Sequence, residues 1–194
     1  MKNNLGYHFI AKKNDGNFIY EIETKKSITY GELKKRIKIY QNKKILKKAK
    51  KISIILENSI EYVEFFTLSQ IMDFIFHPIP YYTSPVEITN LLNYFDPDLV
   101  ITDRKDLTYN NKKIYKPAQI YNSDDISNDN RVLSKNFNRP ATMYNSSGTT
   151  GKPKGILYSY SNIYNLAKGI SHDFNFSKKD KHLIILPLGH TASL

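Results

Sequence analysis

Between residues 51 and 103, short apolar segments alternate with helix-like segments that begin at capping residues, and this alternation constrains the fold most strongly. The strand-like segments are Lys51–Leu56, Phe74–Pro80 and Asp98–Asp103. The segment after the first is predicted to be a helix capped by Asn58. The segment after the second is predicted to be a helix capped by Ser84, with Pro85 at its first position. Strands separated by helices form βαβ units with parallel strands. The sequence therefore predicts a layered α/β fold, with a mainly parallel sheet flanked by helices.

Further strands are predicted towards the end of the chain, at Pro140–Tyr144, Ile156–Tyr160 and His182–Leu188. A helix capped by Ser161 is expected between the last two. The final segment is apolar enough for a strand that is buried on both faces. Because no further helix follows to cover it, we expect an exposed apolar patch that favours association.

Composition restricts the class of protein. The chain has 194 residues, of which 40% are hydrophobic, and this suffices for one domain with a sizeable core, or for one and a half domains. It has no cysteine, which excludes disulfides and thiolate metal sites. The sequence contains no apolar run long enough for a signal peptide or a membrane span, so a cytoplasmic location is expected.

The formal net charge of +11 is concentrated in one segment, Lys34–Lys51, which carries ten Lys and Arg residues and no acid. Leu33, which immediately precedes this segment, is spaced with Ile37 and Tyr40 as one face of a helix. The segment is interpreted as a surface helix with a solvated basic side. A nucleic-acid-binding module is a weaker alternative, because basic charge alone is a weak signal and no recognition motif accompanies it.

Three of the eight glycines lie close together in the glycine loop (Ser146–Gly155). Gly148, Gly151 and Gly155 permit positive φ angles and a close approach of the backbone to a ligand. A loop that turns its amides inward forms an anion-binding concavity. Hydroxyl groups and positive charge are added by Ser146, Ser147, Thr149, Thr150, Lys152 and Lys154. These groups together suit a polyphosphate.

The alternative for the glycine loop is an ordinary Gly-Ser hairpin. Its spacing fits neither G-x-x-x-x-G-K-[ST] nor the dinucleotide-binding G-x-G-x-x-G. The string itself is more informative, since Ser147–Gly155 matches S-G-T-T-G-x-P-K-G, the signature of the adenylate-forming superfamily. Four further stretches are similar to that family in order and spacing: Ile28–Leu33, Ile52–Ser69, His77–Asp103 and Leu186–Leu194. The chain therefore resembles acyl-CoA synthetases, aryl-acid ligases and adenylation domains over nearly its whole length.

The resemblance implies a chemistry. Family members join a carboxylate to the α-phosphate of ATP, release pyrophosphate and pass the acyl group of the acyl-AMP to a thiol of coenzyme A or of a carrier's phosphopantetheine. It implies that the β- and γ-phosphates lie on the glycine loop and that Mg²⁺ bridges them. It also places His190 beside the carboxylate pocket; the alternative is a hydrogen-bonded histidine at a helix start. His77 is interpreted as structural, and the remaining histidines show no metal-ligand spacing.

Two positions depart from the family pattern. Tyr160 stands where a histidine usually follows the loop, and Gly189 stands where an aromatic residue often precedes the motif histidine. The resemblance also implies that residues 1–194 form only the N-terminal part of the large domain. The ribose-binding aspartate and the catalytic lysine of the C-terminal lid would then lie beyond Leu194. The expected partners are ATP, a carboxylic acid and a complementing C-terminal chain, with no nucleic acid and no membrane span. An inactive nucleotide-binding remnant or a split subunit is the alternative to a working ligase.

Overall fold

The computed structural model describes residues 5, 8, 16–109, 114–126, 136–146, 154–177 and 179–190. A two-stranded antiparallel ribbon, β1 (Asn17–Glu21) and β2 (Lys26–Thr29), precedes a six-stranded sheet. The strands of this sheet are β3 (Lys51–Ile55), β4 (Ile75–Pro78), β5 (Leu99–Thr102), β6 (Ile114–Tyr115), β7 (Pro140–Ser146) and β8 (Lys154–Ser159). Their spatial order is β6-β5-β3-β4-β7-β8. Every neighbouring pair is parallel except β7 and β8, which form an antiparallel hairpin. The predicted mainly parallel sheet is confirmed.

Helices cover both faces of the sheet. They are α1 (Tyr30–Gln41), α2 (Lys44–Lys48), α3 (Ile60–Ser69), α4 (Pro85–Phe95), α5 (Pro117–Tyr121) and α6 (Tyr160–Asp173). Alternate residues of a strand point to opposite faces. Accordingly Ile54 and Ile101 pack in the cluster with α1 and α3, whereas Ile55 and Val100 pack in the cluster with α4. Among the described residues, no helix combines the length and hydropathy needed to cross a bilayer.

Serine side chains cap three of these helices. Ser84 caps α4 and Pro85 occupies its first turn, as predicted. The other two predicted caps are wrong. Ser59, and not Asn58, caps α3, and Ser159, and not Ser161, caps α6. Both predicted side chains have other partners, because the Asn58 amide binds the chain near residue 187 and Ser161 Oγ donates to Asn138 Oδ1 at 3.0 Å.

The basic segment differs in part from the prediction. Its apolar face is confirmed, since Leu33, Ile37 and Tyr40 are all buried. However, it forms two helices with a break at Lys43, and α2 turns against residues 123–126. Lys43 and Lys47 are buried, with 4% and 6% of their surface exposed, and Lys43 Nζ donates to the Ser123 carbonyl. The basic side is therefore solvated only in part.

The predicted strand at His182–Leu188 is wrong. No strand of the described part pairs with this segment, which has no regular secondary structure. A strand needs a neighbouring backbone to satisfy its hydrogen bonds. Here the bonds near its end come instead from the side chains of Asn58 and Tyr62. The apolar side chains of Leu183–Leu186 are exposed, but they do not belong to an uncovered strand as expected, and association through them stays a prediction.

Candidate functional site

The ends of the glycine loop are held by the hairpin of β7 and β8. Ser146 is paired with Lys154 and Asn145 with Gly155, and Ser146 Oγ lies 3.5 Å from the Lys154 carbonyl oxygen. Lys154 is exposed at the open end of the hairpin. Residues 147–153 lie outside the described part of the chain. The predicted phosphate-binding residues among them are Ser147, Gly148, Thr149, Thr150, Gly151 and Lys152.

The hairpin opens at the carboxyl edge of the parallel sheet. β7 is parallel to β4, so both strands end at this edge. The connection that leaves β4 returns to β5 on one side, whereas β7 leads to β8 on the other side. In open α/β sheets, ligands bind where the connections of neighbouring strands diverge in this way. The topology therefore places Ser146 and Lys154, between which the loop runs, where such a fold accommodates a ligand.

Gly155 serves the packing of the hairpin. It does not have a positive φ angle, contrary to the reason that the sequence suggests for this glycine. A Cβ atom at this position would lie 2.7 Å from Met143 Sδ and 3.1 Å from Tyr94 Cε1. The Gly155 N–H donates to the Tyr94 hydroxyl at 3.3 Å. The absence of a side chain therefore lets the last turn of α4 approach the base of β8.

A series of hydrogen-bonded polar side chains crosses the sheet and ends at Asn145, which immediately precedes the loop. Ser53 Oγ lies 2.8 Å from His77 Nδ1, and Asn145 Nδ2 lies 2.7 Å from His77 Nε2. Ser53 and His77 are fully buried. Burial lowers the pKa of His77 to about 3, so its ring is neutral at physiological pH. The interpretation of His77 as structural agrees with this burial, but its contact with Asn145 at the loop base could not be read from the sequence.

The segment that carries His190 is anchored at the same edge. The Asn58 side chain donates to the Leu186 carbonyl at 2.8 Å and accepts from the Leu188 N–H at 2.7 Å. The Tyr62 hydroxyl donates to the Leu188 carbonyl at 2.8 Å. Burial raises the pKa of Tyr62 well above its ordinary value, which keeps this donor protonated. The family-like Asn-Ser-x-Glu-Tyr stretch thus positions the Leu-Pro-x-x-His stretch.

Gly189 fits against the end of β4. A Cβ atom there would lie 2.8 Å from the Pro80 nitrogen and Cα and 2.9 Å from the Ile79 carbonyl carbon. This contact leaves no room for a side chain at this position. The next residue, His190, is exposed, and its N–H donates to the Pro187 carbonyl at 2.9 Å. The role of His190 at a carboxylate pocket stays a prediction.

The other departure, Tyr160, lies in the core. Its hydroxyl donates to the carbonyls of Ser69 at 2.6 Å and Met72 at 3.1 Å, and the Arg139 guanidinium lies 4.6 Å from the ring centroid. Burial raises the pKa of Tyr160 to about 12. Tyr160 is also the buried residue of α6, whose Leu166 and Ile170 are exposed. This residue therefore fastens the start of α6 to the end of α3.

An open cleft of about 570 Å³ lies at the carboxyl ends of β4 and β5. It is lined by Tyr81, Tyr82, Asp103, Arg104, Lys105 and Asp106. The Arg104 guanidinium has a structural role, because it donates to Asp106 and to the carbonyls of Tyr81 and Thr83. Within the part of the chain that is described, no group of three or more acidic or histidine side chains could hold a metal ion.

Comparison with known proteins identifies the family. The family model described as AMP-binding enzyme matches residues 8–194. The chain belongs to the AMP-binding enzyme family. The resemblance seen in the motifs is thereby confirmed.

Relatives of this AMP-binding chain include acid–CoA ligases. The 2-succinylbenzoate–CoA ligase of Bacillus cytotoxicus is 25% identical over 185 residues, which cover 89% of this chain and 36% of that protein. The mitochondrial malonate–CoA ligase ACSF3 of Bos taurus is 42% identical over 60 residues, which cover 30% of this chain and 10% of that protein.

Solved structures share the fold. Apo MatB from Rhodopseudomonas palustris matches all of this chain with a TM-score of 0.80 at 17% identity, over 42% of its own length. MenE from Bacillus subtilis, an O-succinylbenzoate coenzyme A synthetase in complex with AMP, matches 98% with a TM-score of 0.77 at 19% identity, over 40% of its length. The AMP-binding chain thus spans less than half the length of these proteins.

Proposed function

We propose that this chain supplies the phosphate-binding side of a site that activates a carboxylic acid with ATP. The observation that carries the proposal is the position of the two residues between which residues 147–153 of the glycine loop run. Its ends, Ser146 and Lys154, are paired at the carboxyl edge of the sheet beside β4, where the strand connections diverge. The family match and the names of the CoA-ligase relatives support the same chemistry.

The proposed reaction has two steps. A carboxylate oxygen attacks the α-phosphorus of ATP, the bond from this phosphorus to the α–β bridging oxygen breaks, and pyrophosphate leaves with the electron pair. A thiolate then attacks the acyl carbon, and AMP leaves as the thioester forms. Negative charge grows on the departing pyrophosphate in the first step. Loop amides, hydroxyls and the Lys154 ammonium stabilise that charge more strongly in the transition state than in the ground state.

The proposed reaction also assigns roles to Mg²⁺, to the thiol and to His190. No cluster of acidic ligands occurs in the described residues. Mg²⁺ therefore enters the proposal as an ion held chiefly by the nucleotide phosphates. The thiol belongs to coenzyme A or to a carrier's phosphopantetheine, and the CoA-ligase relatives favour the former. His190 would border the acid, because its segment ends at the same sheet edge as the loop.

Residues 1–194 are proposed to be the N-terminal part of an adenylate-forming domain. The matches cover 36% of the Bacillus cytotoxicus ligase and 42% of MatB, which supports this assignment. We propose that adenylation also needs polypeptide equivalent to the rest of those proteins, on the same chain or on a partner. The exposed apolar side chains of Leu183–Leu186 are suited to contact it.

The test separates phosphate binding from catalysis. Binding of MgATP and of magnesium pyrophosphate to the 194-residue chain is measured by calorimetry, for the parent, Lys154→Ala and Lys168→Ala. Lys168 is exposed on α6, so its loss changes the net charge equally without touching the loop. We expect weakened binding only for Lys154→Ala. Equally weakened binding in both variants would mean that the chain attracts phosphate only through its net charge, and the proposed phosphate site would be wrong.

Catalysis is measured as ATP–pyrophosphate exchange with a panel of fatty, aryl and amino acids. We expect no acid-dependent exchange from the 194 residues alone, because little positioning of ATP survives when only its pyrophosphate end is held. Exchange that exceeds the Lys154→Ala background would show that these residues suffice, and the proposed need for further polypeptide would be wrong.

A further inference from the structure

Three polar side chains on neighbouring strands interrupt the apolar layer between the sheet and α4. Ser53 and His77 are paired across β3 and β4, and Asn145 lies near the end of β7. The His77 ring packs 4.3 Å from the ring centroid of Phe95, in the last turn of α4. Buried polar groups destabilise a fold unless they are hydrogen-bonded, so each of these hydrogen bonds offsets part of the cost of burying its partners.

The chemistry of the groups fixes the direction of the hydrogen bonds. An amide nitrogen only donates, so Asn145 Nδ2 donates to His77 Nε2, which must be unprotonated. His77 Nδ1–H then donates to Ser53 Oγ. Both ring nitrogens are used, and the neutral state that burial imposes on His77 is the state that this arrangement requires.

This series of hydrogen bonds ends at the base of the glycine loop. Asn145 immediately precedes Ser146 and is paired with Gly155 across the hairpin. The Gly155 N–H is itself held by the Tyr94 hydroxyl. Both strands at the loop base are therefore fixed against the last turn of α4, one through His77 and Phe95 and the other through Tyr94.

We propose that His77 is a positioning residue for the base of the glycine loop, at Asn145 and Ser146, which it holds through Asn145 against the sheet and α4. This inference rests on the proposed function, because it assigns to His77 an effect on phosphate binding. His77 touches no phosphate in this scheme. It sets the direction in which β7 enters the loop. A change of direction at the loop base would therefore displace every proposed phosphate-binding group that follows.

Two substitutions separate the two hydrogen bonds of the ring. In His77→Asn, the shorter amide can replace Nδ1 and reach Ser53 but cannot reach Asn145. In His77→Gln, the longer amide can present its oxygen to Asn145 in place of Nε2 but loses Ser53. Both variants lose the ring and its contact with Phe95. A merely structural role would therefore destabilise both, whereas the positioning role predicts a difference between them in phosphate binding.

The first measurement is the affinity of the full 194-residue chain for MgATP and magnesium pyrophosphate. We expect His77→Asn to weaken both by about fivefold, the factor that one hydrogen bond of ordinary strength is worth. His77→Gln should stay close to the parent, and Lys154→Ala shows that the loop binds phosphate. If Lys154→Ala weakens binding while the two His77 variants are alike, the positioning role is wrong.

The second measurement is hydrogen exchange by mass spectrometry, which does not depend on phosphate binding. We expect His77→Asn to accelerate exchange in peptides from β7 and β8 more than His77→Gln does, with exchange in α3 unchanged. Equal exchange at the loop base in both variants would overturn the inference. If Lys154→Ala does not alter phosphate binding, or the parent shows none, the proposed function is at fault, and hydrogen exchange alone decides whether His77 holds the loop base.

Discussion

Replacing Gly189 by alanine tests how the His190 segment is seated on the sheet. The added Cβ would lie 2.8 Å from the Pro80 nitrogen and Cα and 2.9 Å from the Ile79 carbonyl carbon. These are backbone atoms at the end of a central strand, so they cannot rotate away as a side chain would. The segment itself has to move outward by about half an ångström or more to reach ordinary van der Waals distance.

The cost follows from what such a movement disturbs. Overpacking of a well-packed site costs about 1–3 kcal/mol. An outward shift also stretches the bonds of Leu188 with Asn58 and Tyr62, which are 2.7 Å and 2.8 Å long. For a chain of this length, 1 kcal/mol corresponds to about 2–4 °C in Tm. We therefore expect Gly189→Ala to melt about 2–12 °C below the parent.

Gly169→Ala is the matched control. Gly169 lies within α6, a Cβ atom there would meet no other atom within 4 Å, and neither glycine has a positive φ angle. Alanine should stabilise this helix by about 0.5–1 kcal/mol, since glycine is unfavourable in a helix interior. Thermal and urea denaturation of the parent and both variants, followed by circular dichroism, give the comparison. If Gly189→Ala is as stable as Gly169→Ala, Gly189 does not lie in close contact with Ile79 and Pro80.

Three further predictions concern other parts of the molecule. In a complete enzyme, Lys154→Ala and Gly151→Val should each slow ATP–pyrophosphate exchange, and loss of one transition-state donor costs about 2.7–4 kcal/mol; unchanged exchange in both would remove the loop from the mechanism. Lys43→Gln should lower the free energy of unfolding in urea titrations by about 1–3 kcal/mol, because the Ser123 carbonyl loses its ammonium donor, whereas Lys44→Gln should change it by no more than about 0.5 kcal/mol; equal free energies of unfolding for the two variants would contradict the burial of the first lysine. Finally, the folded pKa of His77 is about 3 and the unfolded value about 6.5. The unfolded state alone therefore takes up this proton as the pH falls below 6.5, and stability should decrease by up to about 1.4 kcal/mol per pH unit. Urea titrations at pH 7 and 5 should show a flatter dependence for His77→Gln, and an identical slope would refute the buried neutral ring.

The parallel sheet could be predicted because its signals are local. Lys51–Leu56 and Asp98–Asp103 are short apolar runs beside helix caps, and both contain central strands of the observed sheet. The segment His182–Leu188 has the same apolar character but forms no strand. Apolar composition does not tell whether a neighbouring strand has a free edge, and that depends on the arrangement of the whole sheet.

The sequence predicts the motif of the candidate site but not the contacts that hold the ends of the loop in place. The string Ser147–Gly155 marks the loop because its residue types are specific. Nothing local reveals that Asn145 meets His77, 68 positions earlier, or that Gly155 meets the hydroxyl of Tyr94. These contacts arise from strand order and from the packing of α4. The burial of Lys43 was missed for the same reason, since the turn that buries it depends on residues 123–126.

The attachment of α6 through Tyr160 affects how the molecule opens. Along the rest of this helix the side chains are exposed or only partly covered, whereas the sheet core buries nearly every apolar residue. Regions with few buried contacts open locally at a lower free energy than the whole fold. The helix can therefore fray from Asp173 back towards Tyr160 while β3, β4 and β5 stay intact. We expect limited proteolysis to cut the exposed part of this helix before the sheet unfolds.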